Sequence, residues 1–101
     1  MTLADLTENL RTAVNAGTPL SKSLKFDLMG DGFIHISGHD VTNEDGPADL
    51  TMTLSLDDLK AMGKGELDPM MAVMSGRLKL SDMMAAMSMQ PEINGLMSRI
   101  K

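Results

Sequence analysis

Apolar residues recur at Leu3, Leu6, Leu10 and Val14, with Glu8 and Arg11 on the other faces. That period predicts an amphipathic helix. Thr2 stands as its N-cap, with Asp5 in the capping-box position; Gly17 followed by Thr18-Pro19 ends it. From Ser23 the period changes to two. Leu24, Phe26 and Leu28 alternate with Lys25 and Asp27, the pattern of a half-buried strand. Gly30-Asp31-Gly32 supplies a tight turn, and Phe33 to Ser37 returns with Ile34 and Ile36 on the covered side. A short third strand is placed around Val41, before the turn at Glu44-Asp45-Gly46-Pro47.

The stretch from Ala48 to Leu80 organises the rest. Leu50, Met52, Leu54 and Leu56 alternate with Thr51, Thr53 and Ser55 as another half-buried strand. Ser55 then caps a helix with Asp58 at N3, and Leu54 with Leu59 forms a hydrophobic staple. Gly63 and Gly65 stop it. Asp68-Pro69 starts a second short helix, as N-cap and N1, ending at Gly76. Leu78 and Leu80 alternate with Arg77 and Lys79 in a last strand. Ser81 or Asp82 caps a Met-rich helix to Met89; Pro91 restarts the chain in a C-terminal helix marked by Ile93, Leu96, Met97 and Ile100. Strands grouped together with helices before and after them predict an α+β domain over residues 1–101, its sheet largely antiparallel.

Composition changes this picture at two points. Twelve methionines stand beside only two aromatics, Phe26 and Phe33, and eight of the twelve fall between Met62 and Met89. Methionine is flexible and fills irregular space, so this density favours an adaptable apolar surface over a rigid core. The net charge is −5, with eight acids against three bases in residues 1–50 and six of each in residues 51–101. Nucleic acid is not an expected partner for an acidic chain without a basic stripe, and membrane contact is expected to be transient at most. Lys60, Lys64, Arg77 and Lys79 are the local exception. The expected location is the cytoplasm: no stretch reads as a secretory signal or a membrane span, and there are no cysteines.

Catalysis is not expected. His35 alternates with Ile34 and Ile36 and so points to the polar side of its strand, with no carboxylate placed to activate it. His39 lies beside Asp40, but neighbours on a strand face opposite ways. Aligning Asp45-Gly46 to a calcium loop puts Val41 and Met52 where carboxylates are required. Gly63-Lys64-Gly65 lacks the spacing of a phosphate loop. No cofactor or metal is implied.

Thr51 to Met87 resembles the sterol carrier protein 2 domain family. The resemblance rests on Leu59, Gly63-Lys64, Leu67-Asp68-Pro69, Gly76-Arg77-Leu78-Lys79-Leu80 and the Met-rich helix that follows, with the hairpin Lys22–Ser37 where the family has its first strands. Two departures stand out. Ser81 runs straight into Asp82 without the usual glycine, a shortened junction at the cavity mouth; and the chain ends Arg99-Ile100-Lys101, unlike a peroxisomal tail. The resemblance implies a five-stranded, mostly antiparallel sheet covered on one face by helices and enclosing an apolar tunnel. It also implies non-catalytic binding and transfer of fatty acids, acyl-CoA, phospholipids or sterol-like ligands.

On that reading the chain of the ligand packs against Phe26, Leu28, Ile34, Ile36, Met52, Leu54, Met62, Met70, Met74, Met84 and Met87, with core packing the role of about half of them. Its head group lies near Lys64 or Lys79. A cavity of at least ~300 Å³ is expected for an acyl chain, filled by lipid or by collapsed methionines. The alternative is an interaction or accessory module whose Met-rich helices dock a partner protein or a second copy.

Overall fold

A computed structural model of the chain describes residues 2–17 and 20–98. Helix α1 (Leu3–Ala16) opens on the expected capping box: the Asp5 N–H donates to the Thr2 hydroxyl, and the Asp5 carboxylate accepts from the Thr2 N–H. Gly17 ends it in an extended conformation, not the left-handed one of a glycine cap. The stop at Thr18-Pro19, the helical position Ile100 and the Arg99-Ile100-Lys101 tail lie outside the described residues.

Strands β1 (Leu24–Asp27), β2 (Phe33–Ser37), β3 (Asp40–Thr42), β4 (Leu50–Thr53) and β5 (Lys79–Leu80) form one sheet in the order β3-β2-β1-β4-β5. The β1–β4 pair is parallel and the other three pairs are antiparallel. The turn between β1 and β2 closes with the Leu28 N–H on the Gly32 carbonyl at 3.0 Å. Met29 sits there at φ 57°, beside Gly30 at 103° and Gly32 at 128°. The positive φ is what suits Gly32 to this place; a Cβ there would also come within 2.8 Å of a terminal methyl of Leu3, which would have to turn aside.

Register explains the core. Val41, Ile36, Leu24 and Leu50 stand side by side across the sheet, and so do Ile34, Phe26, Met52 and Leu80. All but Leu80 are buried, while Lys25, Asp27, His35 and Thr51 on the other face are only partly covered. The helices therefore share one face. α1 is fastened at the β3 end: Arg11 donates to the Val41 carbonyl at 2.7 Å, and Asn43 donates to both the Thr7 hydroxyl and the Phe33 carbonyl.

Helix α2 (Leu56–Gly63) starts at Ser55, whose hydroxyl accepts from the Asp58 N–H at 3.0 Å; both residues of the expected staple, Leu54 and Leu59, are fully buried. α3 (Pro69–Met74) starts at Asp68, whose carboxylate accepts from the Met70 N–H. The two stop by one device. In α2, Glu66 N–H donates to the Ala61 carbonyl and Gly65 N–H to Met62; in α3, Arg77 donates to Ala72 and Gly76 to Val73. Gly65 and Gly76 occupy the left-handed position this Schellman closure needs, at φ 78° and 80°.

Two sequence expectations are corrected. The last strand is shorter than the alternation at residues 77–80 suggests, because only Lys79 and Leu80 pair with β4; Leu78 is buried below them. The Met-rich and C-terminal helices are one helix, α4 (Met83–Ser98), with Pro91 inside it. Pro91 is exposed, so its ring is turned outward; the helix forgoes a hydrogen bond there. Burial of Met89 before it and Ile93, Leu96 and Met97 after it holds both halves to the same core.

Candidate functional site

The second apolar row of the sheet does not end in the core. Ile34 and Phe26 are sealed, but Met52 and Leu80 open onto a slot of about 220 Å³. α3 supplies Pro69, Met70 and Val73 to its wall, and α4 supplies Met83, Ala86, Met87, Gln90, Ile93 and Asn94. Leu78 closes the floor beside Leu80.

A larger and more open basin, about 700 Å³, adjoins it at Pro69, Met70, Gln90 and Asn94. Its other walls are Met62 to Gly65 at the end of α2, Leu67 and Asp68 in the link to α3, and Met97 on α4. The slot is apolar; the basin carries Lys64, Asp68 and two amides. The arrangement sets an apolar recess beside a more polar opening.

The short junction at Ser81-Asp82 fixes α4 against this opening. The Ser81 N–H donates to the Thr51 carbonyl at 3.0 Å, and the Ser81 hydroxyl accepts from the Thr51 N–H at 2.8 Å. Asp82 then caps α4 by accepting from the N–H groups of Met84 and Ala85. Along the helix, the Glu92 carboxylate accepts from the Ser21 N–H and hydroxyl at 2.8 and 2.9 Å, tying α4 to the segment before β1.

Of the residues read from sequence as ligand-facing, Met52, Met70 and Met87 line the slot, and Met62, Met70 and Lys64 line the basin. Phe26, Leu28, Ile34, Ile36 and Leu54 lie in the closed core with no exposed surface and line neither space. Met74 and Met84 face solvent, and Lys79 is exposed on β5 away from both walls. Residues that sequence reasoning passed over include Leu67, Val73, Leu78, Met83, Ala86, Ile93 and the pair Gln90 and Asn94. That pair stands four apart, on one face of a helix, but breaking the helix at Pro91 hid the relation.

His35 is not a free imidazole: its Nε2 lies 3.0 Å from the Pro47 carbonyl, on the sheet face away from the slot. Among the described residues no group of histidines and carboxylates is placed to hold a metal ion, and no helix is long and apolar enough to cross a membrane.

No match is found among curated protein sequences. Among solved structures, a crystal structure of sterol carrier protein 2 is similar over 95% of this chain and 93% of its own, at 14% identity and a TM-score of 0.70. The solution structure of sterol carrier protein 2 from Aedes aegypti in complex with palmitate is similar over 97% and 92%, at 17% identity and a TM-score of 0.65. UbiJ-SCP2, a ubiquinone synthesis protein, is similar over 97% and 90%, at 20% identity and a TM-score of 0.60. These likenesses establish the fold. The model of the SCP-2 sterol transfer family matches residues 3–93, nearly the whole described chain, and with this sheet and helix order the protein belongs to that family.

Proposed function

We propose that this chain is a non-catalytic carrier that takes the acyl chain of a lipid into the slot between β4–β5, α3 and α4. The observation that carries the reading is the apolar slot opening onto a polar basin, walled by flexible methionines. A volume of about 220 Å³ is below the ~300–1,000 Å³ of most small-molecule sites, so a long chain extends past Met70 toward the basin or displaces the methionines. Lys64 on the basin wall is the cation for an anionic head group; Gln90 and Asn94 offer hydrogen bonds at the neck. The family match and the palmitate complex of the Aedes aegypti relative support the same class of ligand.

Fatty acid, acyl-CoA, phospholipid and sterol-like ligands remain within this reading, and a soluble cytoplasmic setting suits it. The test is to extract the freshly purified protein, identify any lipid by mass, and titrate the delipidated protein with palmitate. Saturable binding that weakens in Lys64→Met supports the assignment; a protein that is lipid-free as isolated and unmoved by palmitate or lysophospholipid overturns it.

One observation favours a second reading. Among the described residues, six of the seven exposed large apolar side chains lie on α3 and α4, a surface able to dock a partner protein or a second copy. An accessory part beside a lipid-modifying enzyme is one form of this second reading; UbiJ-SCP2 is named as a ubiquinone synthesis protein. A dimer that persists after complete delipidation, seen by light scattering, distinguishes docking from carriage.

A further inference from the structure

The Met-rich helices contain one pentapeptide pattern twice. Met70-Met71-Ala72-Val73-Met74 forms most of α3, and Met83-Met84-Ala85-Ala86-Met87 forms the first turns of α4. Each copy follows an aspartate cap, Asp68 or Asp82, and each buries its central alanine. The common register turns all six methionines outward, from 55% exposed at Met83 to 79% at Met74. Elsewhere the rule is reversed: Met52, Met62, Met89 and Met97 are between 0% and 5% exposed. Met29, in the turn between β1 and β2, is the other exposed methionine among the described residues.

We propose that the doubled Met-Met-Ala-x-Met segment is a sulfoxidation site, at which a hydroperoxide switches off lipid capture. Thioether reactivity follows access, and here access and ligand contact coincide. Met70, Met83 and Met87 are more than half exposed, yet all three line the slot. A peroxide therefore reaches them with the fold closed. A sulfur lone pair attacks the terminal peroxide oxygen, the S–O bond forms as the O–O bond breaks, and the transferred oxygen's proton joins the departing oxyanion, giving water from hydrogen peroxide or an alcohol from an organic hydroperoxide. The sulfur is oxidised by two electrons and the peroxide is reduced.

The product is a polar sulfoxide in place of an apolar thioether, at the wall against which the acyl chain would pack. Met52, Met62, Met89 and Met97 are each at most 5% exposed, so the core that holds the helices is expected to survive the event. This inference rests on the lipid-carrier reading, and the outcomes below separate the two.

The delipidated protein is treated with graded hydrogen peroxide, each methionine's gain of one oxygen is mapped by peptide mass, and palmitate affinity is measured alongside. The six repeat methionines and Met29 are expected to oxidise well before the four buried ones. Palmitate affinity is expected to fall by about tenfold or more once Met70, Met83 and Met87 are converted. Treatment with methionine sulfoxide reductases A and B together, one for each epimer, is expected to restore it.

For each variant the affinity ratio before and after peroxide is the readout, whatever its starting affinity. Met70→Leu/Met83→Leu/Met87→Leu is expected to lose its sensitivity to peroxide, while Met29→Leu keeps the full loss. Palmitate binding that survives complete oxidation of the six overturns the switch alone. So does a loss as large in the triple variant, or a loss accompanied by unfolding. A reduced protein that never binds palmitate overturns the carrier reading and the switch with it.

Discussion

Ala86 is a position from which the slot can be filled. It sits on α4 in the lining of the slot, which Met52, Leu80 and Val73 share, packed against the core but not sealed within it. An empty slot of about 220 Å³, at ~24 cal/mol per Å³, represents up to ~5 kcal/mol of unrealised packing. That is comparable with the whole stability of a small domain, ~5–15 kcal/mol. Ala86→Phe places a benzyl group in this space. Burial of ~150 Å² of ring surface contributes ~4 kcal/mol, against ~1–3 kcal/mol of overpacking strain and ~0.5 kcal/mol of lost helix propensity. The lipid-free variant should therefore be more stable than the wild type by about 1 kcal/mol, raising its unfolding midpoint by roughly 4–8 °C. The wild type at palmitate a hundredfold above Kd should gain ~2.7 kcal/mol, and the variant nothing. Heat scans of both delipidated proteins, with and without palmitate, measure all four quantities. A variant less stable than the wild type that still responds to palmitate would refute the slot as ligand space.

Three further outcomes follow from local features. Pro91→Ala restores the N–H that α4 lacks at an exposed position, and should raise stability by about 1–2 kcal/mol in denaturant titration; a decrease would mean the proline sets a necessary bend. Gly32→Ala should cost about 1–3 kcal/mol, because φ 128° opposes a Cβ, while the end of Leu3 has only to turn aside. The Asp5 carboxyl is held below its ordinary value, first by the Thr2 N–H it accepts from and then by the Thr2 side chain. A lowered folded value stabilises above the ordinary carboxylate range and is lost as pH falls through it. The difference in unfolding midpoint between wild type and Asp5→Asn should thus be present at neutral pH and vanish in acid.

The fold was legible where local chemistry decides the outcome. Thr2, Ser55 and Asp68 are caps in sequence and in structure, and the alternation of Leu24, Phe26, Ile34, Ile36 and Met52 gives the buried face directly. The parallel β1–β4 pair carries no such local mark, because it is chosen by which strands lie adjacent after the hairpin has formed. Pro91 misled for a physical reason: propensity disfavours proline inside a helix, but burial of Met89 and Ile93 on either side outweighs it. The site was legible as a region and not as a list. Periodicity finds apolar faces, but cannot separate Phe26, sealed beneath the helices, from Met52, its neighbour in the same row and a wall of the slot. That distinction depends on where α3 and α4 stop covering the sheet.

The order of the strands also bears on the expected order of assembly. β1, β2 and β3 are consecutive and antiparallel, so each closes a short loop on its neighbour and forms early. β4 must return past that meander to lie beside β1, and β5 reaches β4 only after two helices have been placed. With just Lys79 and Leu80 in its ladder, β5 is the least anchored strand, and α4 follows it directly through Ser81-Asp82. The slot is thus built from the parts expected to pair last and to open at the lowest free energy. Amides of β5 should exchange with solvent well before those of β1 and β2. A hydrophobic guest can then be admitted by unfastening one end of the molecule while the meander at the other end, laced to the first helix by Arg11 and Asn43, keeps its shape.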